Sequence, residues 1–182
     1  MDDDQAISLF LASRDNAYFD ILFKRYSGKV YAKCISILKD EVLAGDATQE
    51  IFTKIFLNLS KFTGKSKFST WLYSITYNYC IDQVRKQKKG QGLFSDEIEN
   101  APDVVEEVQD EELLTMEINR LKEVLDNLPE GDKAVLIMKY SEEMSIIEIA
   151  ETFQKSESAI KMKLMRAKQK AKQVYDELYG SN

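Results

Sequence analysis

The chain has 182 residues, with 25 Lys and Arg against 31 Asp and Glu, a formal net charge of −6, two cysteines and no histidine. The absence of histidine excludes Ser-His-Asp and Cys-His catalysis and any histidine-bearing zinc site. Cys34 and Cys80 are too far apart in sequence for a CxxC motif, so we expect two small buried hydrophobic side chains. Taken as a total, the charge argues against a nucleic-acid partner.

The composition favours an all-α protein. Hydrophobic residues make up 44% of the chain, enough for a core, and only two prolines and seven glycines interrupt stretches rich in Lys, Glu, Leu, Ile and Ala. The acidic start Asp2-Asp3-Asp4 is the reverse of a signal peptide, and no apolar run approaches the roughly 18 residues that span a bilayer. We therefore expect a cytoplasmic protein with no direct membrane insertion.

The spacing of apolar residues predicts a first helical domain over residues 1–89. A short helix around Ala6–Ala12 precedes a longer one with apolar residues at helical spacing: Phe19, Leu22, Phe23, Tyr26, Val30 and Ile37. A third helix, Val42–Leu59, has an apolar stripe of Ala44, Ala47, Ile51, Phe52, Ile55, Phe56 and Leu59. Its opposite face carries Asp46, Gln49, Glu50, Thr53 and Lys54. Ser69 is predicted to cap a fourth helix that continues through Trp71, Leu72, Ile75 and Tyr79 towards Arg85.

The fourth helix ends in a basic cluster, with four positive charges in the five residues 85–89. Four aromatic residues precede it: Trp71, Tyr73, Tyr77 and Tyr79. Aromatic rings beside cations suit single-stranded nucleic acid, because rings stack on unpaired bases while Lys and Arg bind phosphates. Two alternatives remain open, since the rings could be core residues and the cations could stabilise the negative end of the helix dipole.

Residues 90–112 are predicted to be a flexible linker. Between Gln91 and Asn119 there are ten acidic residues and no Lys or Arg, with Gly90 and Gly92 at the entry and Pro102 inside.

A second helical domain is predicted over residues 113–182. Its first helix has Leu114, Ile118, Leu121, Leu125 and Leu128 on one face, is stopped by Pro129 and Gly131, and precedes a second helix over about 132–140. Ser145 and Glu148 form a capping box for a short helix with Ile146, Ile149, Ala150 and Phe153 inward. Ser156 then caps a long helix whose predicted buried face is Ile160, Leu164, Ala167, Ala171, Val174 and Leu178. This is the plan of a helix-turn-helix domain.

The long final helix reverses the inference from net charge. Residues 155–172 contain seven basic side chains and one acidic one, Glu157. Because the first turns of a recognition helix enter the major groove, the candidate DNA contacts are Glu157, Ser158, Lys161, Met162, Met165 and Arg166. A solvated Lys-rich face is the alternative on charge alone.

The chain offers little for catalysis. Asp46 and Glu50 are four residues apart and could ligate a metal, but no matching carboxylate or histidine pair accompanies them. There is no phosphate-binding glycine loop and no nucleophile elbow. We therefore expect no enzyme activity, catalytic residue, metal, cofactor or small-molecule substrate.

Two sets of motifs resemble the sigma-70 family of bacterial RNA polymerase subunits. The stretches at residues 46–52, 62–72, 75–78 and 82–85 resemble its second conserved region. Leu128-Pro129, Glu148-Ile149-Ala150, Ser156 and residues 160–168 look like its fourth region. Two such regions without the third are the layout of the extracytoplasmic-function (ECF) group, and the resemblance covers nearly the whole chain. It implies a non-catalytic initiation subunit that recognises promoter DNA.

The resemblance implies a role for each surface. The helix bearing Asp46, Gln49, Glu50, Thr53 and Lys54 would bind the β′ clamp of core RNA polymerase, while Phe52 and Phe56 would be core. The loop Gly64, Lys65, Ser66 and Lys67 would receive a base flipped from the −10 element, with Tyr77, Asn78, Arg85 and Lys86 along the neighbouring DNA. The −35 element would be bound by Ser156, Ser158, Lys161, Met162, Lys163, Met165 and Arg166. Further expected partners are the β flap of the polymerase and an anti-sigma factor.

Two residues depart from the family pattern. Gln154 stands where a glycine is frequent in the turn, a position that can need a left-handed backbone. Met162 stands where a small polar residue is frequent, and it could pack on a thymine methyl or fill a gap. The alternatives to a sigma factor are a stand-alone helix-turn-helix regulator and a metal-dependent helical enzyme that uses Asp46 and Glu50.

Overall fold

The computed structural model describes residues 1–90 and 118–180, with side chains over 1–87 and 119–180. These residues form helices without a strand and divide into two compact units, one within residues 1–90 and the other within 118–180. The predicted all-α fold is confirmed. Most of the predicted acidic linker, residues 91–112, and Leu114 after it lie outside the described residues.

Four helices build the first unit, and aspartates cap three of them. The helices are α1 (Asp3–Ser13), α2 (Asn16–Leu38), α3 (Glu41–Asn58) and α4 (Phe68–Gly90). Asp2 forms a capping box with Gln5, while Asp15 and Asp40 accept hydrogen bonds from the backbone N–H groups of Ala17 and Leu43. Local hydrogen bonds from these aspartates thus fix the starts of α1, α2 and α3.

Helix α2 is the centre of this unit, because it packs against α1, α3 and α4. Its buried side chains include Leu22 and Cys34, which meet Ile51 and Ile55 of α3 in one apolar core. Cys34 is fully buried beside Cys80 of α4, with 3.6 Å between the two sulfur atoms. The prediction of two buried cysteines is confirmed.

Two predictions for the first unit are wrong in detail. Phe56, predicted to be a core residue, is 37% exposed. One side of its ring packs on Phe10 and Phe19, with ring centroids 5.3 and 5.0 Å away, and the rest of the ring is open to solvent. Ser69 is not the N-cap of α4, since the helix already begins at Phe68 and the Trp71 N–H donates to the Lys67 carbonyl at 3.2 Å. Phe68 is buried in the core, which places the helix start before the serine.

The part of the second unit that the structure describes, residues 118–180, also has four α-helices. They are α5 (Ile118–Asp126), α6 (Glu130–Leu136), α7 (Ile146–Phe153) and α8 (Glu157–Tyr179), with a π-helical turn at Ile137–Ser141 after α6. Pro129 ends α5 as predicted, but Gly131 lies inside α6 instead of before it. The Pro129 carbonyl accepts from the N–H groups of Asp132 and Lys133, so the helix starts two residues earlier than predicted.

The helix-turn-helix is formed by α7, a tight turn and α8. The capping box of Ser145 and Glu148 is present, and the Ser156 hydroxyl accepts from the Ala159 N–H at 3.2 Å. Gln154 ends α7 in the left-handed conformation, with φ 54° and ψ 45°, as its place in the turn predicted. A non-glycine residue in this region costs some strain, and its N–H offsets that by binding the Ala150 carbonyl.

The predicted buried face of α8 is confirmed for Ile160, Leu164, Ala167 and Ala171. Leu178 is 42% exposed, so its predicted burial is wrong. At this end of α8 the contacts to α5 are made by Tyr175 and Tyr179, which hydrogen-bond Arg120 and Glu123.

We expect Ile51→Ala to destabilise the first unit by about 2–5 kcal/mol, because Ile51 is fully buried and truncation leaves a cavity. Val42→Ala, which changes a side chain 74% exposed on the same helix, should change stability by less than about 0.5 kcal/mol. Trp71 is the single tryptophan and lies in this unit, so its fluorescence during urea unfolding measures both variants. Equal unfolding midpoints for the two variants would contradict the assigned core.

Candidate polymerase-binding and DNA-binding surfaces

The polar face of α3 is exposed along its whole length. Its members are the five residues predicted from the sequence: Asp46, Gln49, Glu50, Thr53 and Lys54. The opposite face buries Ala47, Ile51 and Ile55, so core packing holds the polar side chains outward in fixed register. We call these five residues the α3 face.

A cleft of about 450 Å³ lies between the α3 face and α4. Tyr79, Gln83 and Gln87 line its α4 side. From the sequence, Tyr79 was a candidate only for base stacking, and Gln83 and Gln87 were not candidates, although a spacing of four along one helix indicates that the three residues share a face. The ammonium of Lys54 lies 4.5 Å from the centre of the Tyr79 ring, a cation–π contact that links the two walls.

The environment of Tyr79 disfavours its ionised form. Partial burial raises the pKa of its phenol above the ordinary value of 10.0, and the negative charge of Glu50 raises it further, against a hydrogen bond with Gln83 that lowers it. Tyr79 is therefore a neutral hydrogen-bonding group of the cleft at physiological pH.

The four aromatic residues that the sequence placed before the basic cluster are largely buried. Tyr73 and Tyr77 are only 7% and 6% exposed, and the Lys33 ammonium of α2 lies 4.1 Å from the centre of the Tyr73 ring. Trp71 packs on Phe62 and Phe68, with ring centroids 5.3 and 6.0 Å away. The alternative that these rings serve the core is the better description, and the assignment of Tyr77 to a DNA surface needs correction. Asn78, beside it, is exposed.

The loop before α4 presents its tip to solvent. Gly64, Lys65 and Lys67 are exposed and Ser66 is half-buried. Gly64 has φ 70°, a backbone conformation that a side chain would strain. The rings of Phe62 and Phe68 pack edge to face at 5.7 Å and close the base of the loop. The loop is therefore anchored at both ends.

The basic end of α4 is solvated. Arg85 and Lys86 are exposed, and Arg85 has one weak contact to Asp82 at 3.7 Å, which at this exposure contributes little to stability. The side chains of Lys88 and Lys89 lie outside the described residues. Both described cations can thus reach a polyanion without breaking a buried ion pair.

The outward face of α8 carries most of the residues predicted for DNA binding. Ser158, Lys161 and Met162 are exposed, and Met165 and Arg166 are half-buried. Ser156 is exposed as well, but its hydroxyl already accepts the capping hydrogen bond. We call Ser158, Lys161, Met162, Met165 and Arg166 the α8 face.

Lys163 does not share the α8 face. Its ammonium lies 3.1 Å from the Oδ1 atom of Asp132 on α6, and Lys170 lies 2.6 Å from the Oδ2 atom of the same carboxylate. The helical register explains the difference, since position 163 is next to the buried stripe on the flank that packs against α6. The sequence near Lys163 could not indicate its contact with Asp132, because the two residues are 31 positions apart.

An apolar groove of about 190 Å³ lies on the second unit. It is lined by Leu121, Leu125, Leu136, Ile137, Tyr140, Ser141 and Ala171. Leu121 and Leu125 belong to the apolar face predicted for this helix, and both are half-buried in the structure. A concave apolar surface of this kind accepts apolar side chains of a partner.

Among the described residues, no three Cys, Asp or Glu side chains are gathered closely enough to hold a metal ion. No helix within residues 1–90 and 118–180 is both long and apolar enough to cross a membrane.

Two family matches correspond to the two units. Residues 22–90 match sigma-70 region 2, and residues 118–170 match sigma-70 region 4. In this order the two matches define a sigma factor of the sigma-70 family. The curated relatives include ECF RNA polymerase sigma factor SigM of Bacillus subtilis, 30% identical over 162 residues, which covers 86% of this chain and 94% of the relative. SigW of the same organism is 28% identical over 167 residues and covers 85% and 86%.

Solved structures show the same fold. CnrH in complex with the cytosolic domain of CnrY matches with a TM-score of 0.61 at 21% identity, covering 97% of this chain and 99% of that chain. The sigma factor RpoE of Bartonella quintana, in complex with the anti-sigma factor NepR, matches with a TM-score of 0.59 at 20% identity, covering 86% and 95%.

The chain belongs to the ECF sigma factors. It is therefore a subunit that binds core RNA polymerase and directs promoter-specific initiation of transcription. The alternative of a stand-alone helix-turn-helix regulator is wrong, because the chain matches both sigma-70 regions and belongs to the ECF sigma factors.

We expect Tyr79→Phe to make the first unit more resistant to alkaline pH. The raised pKa means that the folded state holds the phenolic proton after the unfolded chain has lost it, so stability falls as pH rises above about 10. The urea concentration at the midpoint of unfolding, measured from neutral pH to above pH 10, should fall less with rising pH for Tyr79→Phe than for the wild type. Equal declines for Tyr79→Phe and the wild type would contradict the raised pKa of Tyr79.

Proposed function

We propose that the α3 face is the main polymerase contact, docking on the β′ clamp. The observation that carries this assignment is that five polar side chains stay exposed together on a helix whose other face buries Ala47, Ile51 and Ile55. The adjoining cleft extends the contact to Tyr79 and Gln83 of α4. Charged and amide groups in this array offer hydrogen bonds that fix register and orientation against a partner helix.

The loop Gly64, Lys65, Ser66 and Lys67 is proposed to receive an unpaired base of the −10 element. Support comes from its exposed tip, its two cations and the aromatic pair that closes its base. Asn78, Arg85 and Lys86 are proposed to follow the neighbouring strand, because all three are exposed on α4. Tyr77 is left out of this surface since its ring is buried. Extrusion of a base costs a few kcal/mol, which such contacts can offset.

The α8 face is proposed to read the −35 element in the major groove. Lys161 and Arg166 provide phosphate and base contacts, and Met162, which is 43% exposed, can pack on a thymine methyl group. Ser156 is proposed to act mainly as the cap that fixes the start of α8.

The apolar groove of the second unit is proposed as the site for the β flap of the polymerase. Its lining is almost entirely apolar, which suits an amphipathic segment more than a nucleic acid. An anti-sigma factor is a further proposed partner, supported by solved relatives of the same fold bound to such proteins. We propose a non-catalytic cytoplasmic protein in which Asp46 and Glu50 serve docking and hold no metal.

Run-off transcription with core polymerase and a promoter library is the test of the proposed function. Adding the full chain should give transcripts that start at a limited set of promoters sharing −10 and −35 elements. Absence of any promoter-directed transcript, together with tight binding of the chain alone to duplex DNA, would refute the proposal.

Two variants should separate polymerase binding from −35 recognition. Glu50→Ala should weaken binding to core polymerase by about tenfold at every promoter, since it removes a charge of the α3 face. Arg166→Ala should weaken initiation by about tenfold only where a −35 element is needed. Affinity for labelled core polymerase and transcript yield are the measurements.

The controls for these variants are Asp20→Ala on α2 and Gln173→Ala near the end of α8, both exposed positions outside the proposed surfaces. Both should behave like the wild type. Parallel loss in both assays for Glu50→Ala and Arg166→Ala would argue against separate surfaces.

We expect Leu125→Asp to reduce −35-dependent transcription without changing affinity for duplex DNA, because it places a charge in the apolar groove. Leu178→Asp alters an exposed leucine of the same unit outside the groove and should leave transcription unchanged. Circular dichroism at increasing temperature checks that both variants keep the fold. A Leu125→Asp protein that folds and transcribes normally would refute the groove assignment.

A further inference from the structure

Asp132 is a carboxylate in the interior of the DNA-binding unit. It lies in the first turn of α6 and is only 1% exposed. Its two oxygen atoms bind two different lysines of α8: Oδ1 lies 3.1 Å from the Lys163 ammonium and Oδ2 lies 2.6 Å from that of Lys170. Charge-assisted hydrogen bonds of this kind offset the cost of burying a carboxylate.

The two lysines reach Asp132 from one flank of the recognition helix. Lys163 and Lys170 are seven residues apart, close to two helical turns, so their side chains leave α8 in nearly the same direction. The Lys163 ammonium lies in a defined niche, since a Cβ atom added to Gly131 would be 3.3 Å from it and the Phe153 ring centre is 6.0 Å away. The side chains of Lys163 and Lys170 are 20% and 40% exposed, so both can turn to solvent when the Asp132 carboxylate is removed.

This arrangement changes the charge that DNA meets. Of the seven basic side chains in residues 155–172, two are bound to one internal carboxylate. Contacts to phosphates carry no sequence information, and they supply nearly all of the affinity for non-specific DNA. Lysines whose ammonium groups are bound to a carboxylate of the protein are not available to neutralise phosphates and so do not add to that affinity.

We propose that Asp132 is a specificity-determining positioning residue, which holds Lys163 and Lys170 away from DNA phosphates and so limits non-specific binding by α8. The inference rests on the proposed role of the α8 face in DNA recognition. The α8 face then selects the −35 element, while the two ion pairs of Asp132 hold α8 against α6.

The prediction follows from counterion release. Each phosphate neutralised adds about 0.9 to the slope of log affinity against log salt concentration on duplex DNA. Asp132→Asn should therefore steepen the slope by about 0.9 to 1.8 as one or both lysines turn outward, and should raise affinity for non-specific DNA about tenfold at low salt. The ratio of affinities for promoter DNA and random DNA should fall accordingly.

The experiment uses the full chain and a short random-sequence duplex, with binding followed by fluorescence anisotropy across a salt series. Asp126→Asn is the matched control, because it makes the same change of net charge and releases Lys133, which lies 2.6 Å from Asp126 and is on α6 instead of α8. Asp126→Asn should leave the slope unchanged. Circular dichroism establishes that both variants are folded.

A second set of variants keeps the test decisive if Asp132→Asn does not fold. Lys170→Gln in the wild type should leave the slope unchanged, because Lys170 is bound to Asp132 and not to phosphate. In the Asp132→Asn background the same substitution should remove about half of the gain. A lower slope for Lys170→Gln in the wild type, or equal slopes for Asp132→Asn and Asp126→Asn, would overturn the proposal.

Lys161→Gln separates this proposal from the proposed function. Lys161 is exposed on the α8 face, so its loss should lower the wild-type slope by about 0.9. If Lys161→Gln has this effect while Asp132→Asn gains nothing, the inference about Asp132 fails alone. If Lys161→Gln has no effect, α8 does not contact DNA, and both the −35 assignment and the inference are refuted.

Discussion

Burial of one face of each helix against a small core determines which side chains the protein can offer to its partners. In α3 the buried face of Ile51 and Ile55 holds the polar residues outward, and in α8 the buried stripe from Ile160 to Ala171 does the same for Lys161 and Met162. In α4 the rings of Tyr73 and Tyr77 are buried. The same constraint therefore exposes the α3 face and the α8 face, and it buries two rings of α4 that the sequence had made candidates for DNA binding.

Periodicity and capping in the sequence were sufficient to predict the helical fold and most exposed positions. The capping box of Ser145 and Glu148 and the left-handed Gln154 are local features, and both were found in the sequence. The α4 aromatics were ambiguous, because helical spacing shows which residues share a face but not which neighbour covers it. The ion pairs of Asp132 depend on contacts between distant segments, so no local pattern revealed them. For the cleft, the spacing of Tyr79, Gln83 and Gln87 indicates a shared face of α4 but not that this face lies opposite α3.

Net charge was a poor guide to the partner of this chain. The total of −6 combines the acidic residues between Gln91 and Asn119 with a strongly basic final helix. Association with DNA depends on the field near the contact surface, since charges beyond about 10 Å are screened at physiological salt. The position of each charge within α8 matters as well. Lys163 and Lys170 are bound to one buried carboxylate, whereas Lys161 is exposed to solvent.

The aromatic pair Phe62 and Phe68 has a thermodynamic consequence for the loop between them. With its two ends joined by packed rings, the loop 63–67 has lost much of its conformational freedom before any partner arrives. Ordering of a free loop on binding would subtract from affinity by an amount that grows with the number of residues fixed. A short loop closed at its base has already met that entropic cost during folding, so the contacts at its tip translate more fully into affinity.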